Sequence, residues 1–176
     1  MDRPELSLVV PVMNESPIIT ELVQRSIAAL RGISEQVEMI LVDDGSSDDT
    51  LDRIKAECAK DQRVRFISLS RNFGHQMAIT AGLDHAQGNC VVIMDGDLQD
   101  PPELIPELYA KYKAGAQVVY AKRRSRQEEP FWKRWTANAF YRMLRAITQI
   151  DIPLDTGDFR LISRKVLLSL ASMQER

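Results

Sequence analysis

The sequence predicts an α/β protein with a mostly parallel sheet and helices on both of its faces. Two observations carry this prediction. Short runs rich in Val, Ile and Leu alternate with amphipathic segments of helical length, and polar residues follow each apolar run. Strands that alternate with helices pair in parallel, because each helix carries the chain back across the sheet. The 176 residues are enough for one such domain with a buried core, so a single domain is expected over residues 1–176.

Five apolar runs of strand length are expected to form the sheet. They occupy residues 6–12, 37–42, 64–69, 90–94 and 118–121. Amphipathic segments between them predict helices over residues 17–30, 49–59, 76–86 and 102–113. In the second helix Leu51, Ile54 and Cys58 fall on one face, and the fourth helix opens with proline, which suits a first helical turn.

The last third of the chain has a different character. A polar link at 123–130 leads to a predicted helix at 131–148, a turn-rich stretch at 153–158 and a final apolar piece at 159–173. Trp132 and Trp135 lie near one face of the predicted helix, and its basic residues lie mostly elsewhere. This pattern fits a helix lying on an anionic lipid surface. It fits equally a helix that buries its tryptophans on the sheet, so both interpretations stay open.

Charge and cysteine content limit the classes of partner. The formal net charge of −2 gives no reason to expect nucleic acid, whereas residues 122–145 hold eight Lys or Arg and two Glu. Such a basic block indicates one anionic partner at one face. Cys58 and Cys90 match no metal or redox spacing and are expected to be buried and reduced, which favours a cytosolic setting. No secretory signal or membrane span is expected within these residues.

Polar residues gather where four of the predicted strands end. These ends are residues 11–15, 43–48, 70–75 and 95–100. The carboxyl ends of parallel strands share one edge of a sheet, and open α/β folds bind ligands there. The six aspartates, one glutamate and one arginine at this edge are more charged residues than turns alone require.

The pair Asp95 and Asp97, separated by one glycine after an apolar strand, is the most informative of these ends. Two carboxylates at this spacing can converge on one Mg²⁺ or Mn²⁺, which prefer oxygen ligands. A cation held there can offset the charge that grows on a departing diphosphate. The alternative is that both are solvated turn aspartates.

The other strand ends hold residues that are weaker candidates for ligand contact. Asp43 is expected to contact a ligand through a base or ribose hydroxyl, while Asp48 or Asp49 caps the next helix. Arg71 and His75 are candidates for phosphate or sugar contact, and a surface or structural role explains each equally well.

The motifs at 11–15, 42–49, 70–76 and 95–102, taken in order, resemble those of the family 2 inverting glycosyltransferases with a GT-A, Rossmann-like fold. The resemblance spans nearly the whole chain. It is strongest to polyprenyl-phosphate sugar transferases, including bacterial undecaprenyl-phosphate glucosyl- and aminoarabinosyl-type enzymes and dolichyl-phosphate mannose synthase.

This resemblance implies roles for individual residues on the donor side. Pro11, Asn14 and Glu15 would line the nucleotide pocket, and Asp43 would contact the base. The metal and the diphosphate would be held by Asp95 and Asp97, with Asp97 also counted as catalytic. Gln99 would lie near the sugar, and Arg123 matches the basic position after the fifth strand. Residues 1–122 would therefore form the part that binds the nucleotide-sugar.

On the acceptor side, over residues 123–176, the resemblance makes Asp158 the candidate base and Arg160 a candidate contact for the acceptor phosphate. A phosphate monoester is already largely a dianion near neutral pH, because its second pKa is about 6. It therefore needs little deprotonation, and Asp158 could instead orient Arg160 or help to bind the metal. Arginine suits phosphate because its planar fork binds two oxygens at once.

The function implied is transfer of a sugar, for example from UDP-glucose, to a polyprenyl phosphate with Mg²⁺ or Mn²⁺ as cofactor. Relatives continue into juxtamembrane and transmembrane segments, so a membrane-anchored full-length protein at the cytoplasmic face is expected, and a homo-oligomer stays open.

Three other functions remain as alternatives to the glycosyltransferase interpretation. One is a phosphorylatable receiver domain, whose acidic pair would however follow the first strand. Another is a domain that binds a nucleotide-sugar without turnover. The third is a nucleotidyltransferase, although a glycine-rich, lysine-bearing phosphate loop near the N-terminus is not recognised.

Overall fold

The computed structural model describes residues 3–122 and 156–172. They form a six-stranded sheet in the order β3-β2-β1-β4-β6-β5. The strands are β1 (Leu6–Val12), β2 (Val37–Asp43), β3 (Val64–Ser68), β4 (Cys90–Ile93), β5 (Val118–Lys122) and β6 (Thr156–Ser163). β1 pairs in parallel with both β2 and β4, β2 pairs in parallel with β3, and β6 is antiparallel to β4. The sheet is mostly parallel, as predicted.

Five α-helices accompany the strands in the described part of the chain. They are α1 (Ile19–Arg31), α2 (Thr50–Lys60), α3 (His75–His85), α4 (Ile105–Lys113) and α5 (Arg164–Ala171). Short 3₁₀ turns at Ser16–Ile18 and Pro102–Leu104 precede α1 and α4, so both helices begin two or three residues later than expected. Pro17 and Pro102, at the expected helix starts, lie within these 3₁₀ turns. The late start of α4 places Pro106 in the first helical turn, where its missing amide hydrogen costs no helical hydrogen bond.

The core lies on both faces of the central strands, and every residue of β1, β2 and β4 is buried. On one face Val9, Ile40 and Val91 form a cluster with Ala78 of α3 and Leu167 of α5. Neighbouring strand residues point to the opposite face. There α1 contacts β2, α2 and α4. The expected helices on both faces of the sheet are therefore confirmed.

The end of the described chain differs from the sequence-based expectation. The turn-rich stretch expected at 153–158 overlaps β6, which begins at Thr156, while residues 153–155 lie outside the described residues. The apolar piece beyond it divides into the rest of β6 and helix α5. Phe159 and Leu161 of β6 are fully buried, and Ser163 caps the following helix. A short apolar run does not reveal by periodicity whether a strand or a helix will form.

The chain divides into two compact units, Met1–Tyr120 with Asp158–Arg176 and Ala121–Gly157. Most of the second unit lies outside the described residues. This applies to Arg123, the polar link at 123–130 and the predicted helix at 131–148. Within the described residues, every helix is too short or too polar to cross a membrane.

Candidate active site

A cavity of about 330 Å³ opens at the carboxyl edge of the sheet, where β1 and β4 end next to each other. Strand order reverses here, since β2 and β3 lie on one side of β1 and β4 on the other. Open α/β sheets bind ligands at such a switch point. The cavity is lined by Pro11, Val12, Met13, Glu15, Asp44, Asn72, Gly74, His75, Ala78, Asp95, Gly96 and Asp97.

The Asp95–Asp97 turn enters this cavity because β4 continues to follow β1 beyond its last strand residue. The amide of Met94 donates to the carbonyl of Val9 at 3.1 Å. Gly96 then passes so close to β1 that an added Cβ would lie 2.6 Å from Cγ1 of Val12 and 2.9 Å from the carbonyl oxygen of Pro11. A glycine is therefore required between the two aspartates.

A tight turn places Asp97 at the solvent side of the cavity. Its Oδ1 accepts the amide of Gln99 at 2.9 Å, and Leu98 between them adopts a positive φ of 59°. The side chains of Asp97 and Gln99 are exposed. Gln99 is not part of the cavity lining, and its expected place near the sugar stays a prediction.

Asp95 faces the start of α3 across the cavity. Its Oδ1 lies 3.4 Å from Nε2 of His75, the first residue of that helix. Both side chains are partly exposed, 33% for Asp95 and 43% for His75. The structure thus brings together a strand-end carboxylate and an imidazole that lie on different elements.

Two successive aspartates at the end of β2 have different environments. Asp44 lines the cavity, and its two carboxylate oxygens accept the amides of Phe73 and Gly74 at 2.8 and 3.0 Å. Asp43 is 1% exposed and accepts the amide of Ser46 and the hydroxyl of Ser68, at 3.2 and 3.3 Å. The sequence predicts Asp43 as the ligand contact. That role stays a prediction, since Asp43 is not among the residues that line the cavity.

Asn14 supports the loop after β2. Its side-chain oxygen accepts the backbone amide of Ser47 at 2.9 Å, and its backbone amide donates to the hydroxyl of Ser46, also at 2.9 Å. Asp48 accepts the backbone amide of Thr50, the first residue of α2, at 3.0 Å, whereas Asp49 directly before the helix makes no side-chain capping bond. Asn14 lies outside the cavity lining, whereas Pro11 and Glu15 belong to it.

The strand β6 brings the acceptor-side candidates towards the same edge. Arg160 pairs with Ile93, the last residue of β4, and its side chain is half-buried. Because β6 runs antiparallel to β4, the backbone of Asp158 lies further towards the edge from which Asp95 emerges. The roles predicted for Asp158 and Arg160 stay predictions.

The cavity is strongly acidic. Four of its residues are carboxylates, Glu15, Asp44, Asp95 and Asp97, and among the described residues that line it there is no Lys or Arg. Partial burial raises the pKa of Glu15, and the nearby charges of Asp97 and Asp48 raise it further. A diphosphate would be repelled by this lining unless a cation lay between them.

The donor chemistry therefore fits a divalent cation, because carboxylate oxygens are ligands that Mg²⁺ and Mn²⁺ prefer. Within the described residues, no three His, Cys, Asp or Glu side chains already converge on one point in the manner of a metal site. A cation would thus be held by the two aspartates together with oxygens of the nucleotide, as Mg²⁺ commonly is at phosphate sites.

Sequence reasoning did not identify Asp44 and Gly96 as parts of the site. The adjacent Asp43 and Asp44 look alike in the sequence, and only the loop that each one contacts distinguishes them. A signal for Gly96 was present, since a glycine between two acidic residues at a strand end marks a close backbone approach.

A mostly parallel α/β sheet with an acidic cavity at its switch point matches the GT-A arrangement expected from the motifs. Residues 7–170 match the family model described as glycosyl transferase family 2. The chain belongs to this family, which excludes the receiver-domain alternative.

Two curated bacterial relatives cover nearly the whole chain. The uncharacterized glycosyltransferase YkcC of Bacillus subtilis (strain 168) is 49% identical over 172 residues, which are 98% of this chain and 53% of the relative. The prophage bactoprenol glucosyl transferase homolog of Escherichia coli (strain K12) is 43% identical over 175 residues, 98% of this chain and 56% of the relative. The chain thus spans little more than half the length of these relatives.

A solved structure supports the fold. Glucosyl-3-phosphoglycerate synthase from Mycobacterium tuberculosis, in complex with Mn²⁺, UDP-glucose and phosphoglyceric acid, superposes with a TM-score of 0.66. It is 25% identical, and the match covers 93% of this chain and 57% of that one. The likeness includes the part of the chain that holds the acidic cavity.

Proposed function

We propose that the protein transfers a sugar with inversion from a nucleotide-sugar, UDP-glucose in the first instance, to a polyprenyl phosphate of the undecaprenyl type at the cytoplasmic face of the membrane. The observation that carries the proposal is the acidic cavity at the switch point of the sheet. The bactoprenol glucosyl transferase name of a 43% identical relative supports the acceptor. The UDP-glucose and Mn²⁺ bound to a structural neighbour support the donor and the cofactor.

In this proposal the cavity binds the nucleotide diphosphate. Pro11 and Glu15 line one side of the cavity, next to the loop that Asn14 supports, and Asp43 contacts the base. Asp95 and Asp97 hold Mg²⁺ or Mn²⁺ on the other side. The cation, when bound, supplies positive charge against the diphosphate that leaves with the nucleotide. Negative charge within the cavity makes that ion necessary for the donor to bind.

The acceptor would approach from the side of β6. A phosphate oxygen of the lipid attacks the anomeric carbon, forming the new C–O bond as the bond to the diphosphate breaks on the opposite side. Arg160 would bind the acceptor phosphate, since a guanidinium pairs with two phosphate oxygens at once. Asp158 would orient Arg160 or serve as base. Arg123 and the basic segment at 131–148 are proposed to contact diphosphate and membrane, as their charges favour.

The test is transfer of radiolabelled glucose from UDP-glucose into an organic-soluble product, with undecaprenyl phosphate in detergent and either Mg²⁺ or Mn²⁺. We expect labelled lipid from the unaltered chain and a loss of at least about a hundredfold in Asp97→Asn, because charge stabilisation at such a centre is commonly worth that factor. Chelation of the divalent ion should abolish transfer in the same way.

The matched control is Asp52→Asn, which alters an aspartate whose side chain is 80% exposed on α2. It should keep full turnover. Normal turnover in Asp97→Asn would contradict the proposal. Tight UDP binding by the unaltered chain, without any transfer to polyprenyl phosphate, would instead establish a domain that binds nucleotide-sugar without turnover.

A further inference from the structure

The two histidines of the chain lie at opposite ends of α3, and they have different surroundings. His85 contacts the carbonyl oxygen of Ala81 within its own helix, at 2.8 Å from Nδ1. His75 instead lines the acidic cavity, with Nε2 3.4 Å from Oδ1 of Asp95. Of the two histidines, His75 is therefore the one placed to contact a ligand bound in the cavity.

The position of His75 is set by its neighbours along the chain. The preceding residue, Gly74, has a positive φ of 97°, and its amide donates to the carboxylate of Asp44. This carboxylate also accepts the amide of Phe73, so two successive bonds anchor the backbone where α3 begins. The backbone that carries the imidazole ring is thus held in place beside the strand-end aspartates.

The distance between the two side chains matches that between neighbouring ligands of one cation. At octahedral metal–ligand bonds of about 2.1 Å, adjacent ligand atoms are about 3 Å apart. The 3.4 Å between Nε2 of His75 and Oδ1 of Asp95 exceeds this by a few tenths of an ångström. Small rotations of two partly exposed side chains would close that gap.

We propose that His75 is a nitrogen ligand of the divalent cation, adjacent to Asp95, and that it makes the site prefer Mn²⁺ to Mg²⁺. The proposal rests on the proposed function, because it assigns a further ligand to the cation of that reaction. Imidazole discriminates between the two ions: Mg²⁺ is hard and strongly favours oxygen, whereas transition ions accept ring nitrogen readily.

The experiment is pulsed electron paramagnetic resonance of Mn²⁺ bound to the untagged 176-residue chain with UDP. Labelling with [¹⁵N]histidine separates imidazole nitrogen from amide and nucleotide nitrogen. We expect a directly coordinated histidine nitrogen in the unaltered chain, its loss in His75→Gln and its retention in His85→Gln. The matched His85→Gln variant keeps the labelled His75 but changes a side chain at the opposite end of α3.

Titration calorimetry of the UDP complex adds a readout of metal preference. His75→Gln should weaken Mn²⁺ binding about tenfold, the lower end of the range for losing a supporting group at a metal site. The affinity for Mg²⁺ should change less than about twofold. An equal loss for both ions would mean that His75 merely positions Asp95, which would overturn the inference.

The outcomes separate this inference from the proposed function. Two results would overturn the ligand role of His75 and leave the glycosyltransferase proposal intact. In the first, Mn²⁺ binds but shows no magnetic coupling to a histidine nitrogen. In the second, the coupling persists in His75→Gln. Failure of the unaltered chain to bind Mn²⁺ in the presence of UDP overturns the metal dependence itself, and the inference with it.

Discussion

Asp44 and Gly74 are joined by a hydrogen bond of 3.0 Å, from the amide of the glycine to a carboxylate oxygen at the end of β2. The second oxygen of Asp44 accepts the amide of Phe73. One buried side chain thus connects two loops of the cavity edge, and it sets the place where α3 begins. Stability and ligand binding are consequently linked at this residue.

Asp44→Asn should lower the free energy of unfolding by about 2 kcal/mol, the usual scale for hydrogen bonds to a charged group. The amide has one acceptor oxygen where the carboxylate has two, and its NH₂ would face a backbone amide. Urea denaturation measures the loss. In the exposed control Asp52→Asn the change should stay within about 0.5 kcal/mol. Equal stability of the two variants would contradict the assigned role of Asp44.

Gly96→Ala should destabilise the protein by about 1–3 kcal/mol, the range for overpacking, because the new Cβ would meet Val12 and Pro11. It should also weaken UDP binding in the presence of Mn²⁺, since both neighbouring aspartates must shift. Calorimetry measures the binding.

The matched control is Gly115→Ala. This glycine has a φ of 107°, and no heavy atom lies within 4 Å of an added Cβ. Backbone strain of about 1–2 kcal/mol is expected there, with unchanged UDP affinity. Unchanged affinity in Gly96→Ala as well would show that the close approach to β1 does not position the aspartates.

Glu15→Gln should make the protein more stable than the unaltered chain at neutral pH. Burial, then the charges of Asp97 and Asp48, raise the pKa of Glu15 in the folded state. The folded state therefore binds this proton more tightly than the unfolded chain, and stability is lost as pH rises through the ordinary glutamate range and up to the raised pKa. Glutamine removes that loss.

Urea midpoints measured at several pH values check this prediction. The advantage of the Gln variant should disappear in acid, below the ordinary glutamate pKa, where Glu15 is protonated in both states. Mn²⁺ should also reduce the advantage by stabilising the charged form. A Gln variant that is less stable at neutral pH would contradict the electrostatic account.

Ser163→Ala should cost about 1–2 kcal/mol. The buried hydroxyl accepts the amide of Val166 at 3.3 Å, which caps α5, and it donates to the side-chain oxygen of Gln117 at 2.8 Å. Alanine leaves both partners unsatisfied at the junction of β6 and α5. Ser169→Ala, on the exposed surface of the same helix, should change the unfolding free energy by less than about 0.5 kcal/mol. Similar midpoints for the two variants would disprove the capping role.

Local patterning was sufficient for most of the fold. The apolar runs and amphipathic segments predicted β1 to β5 and the helices between them closely. In β1, β2 and β4, burial on both sheet faces leaves a continuous apolar signal. The ends of helices were less predictable. Pro17 and Pro102 correctly indicated where a helical turn begins, but these turns are 3₁₀, and α1 and α4 start only at Ile19 and Ile105.

The order of the chain also predicted that acidic strand ends share one edge, since parallel strands necessarily end on the same side. Contacts between distant segments could not be read in this way. The insertion of β6 beside β4, the choice of Asp44 for the loop before α3, and the approach of His75 to Asp95 all depend on packing across the sheet. Each of these features is a contact between residues that are far apart in sequence, and such contacts are determined by the packing of the folded chain.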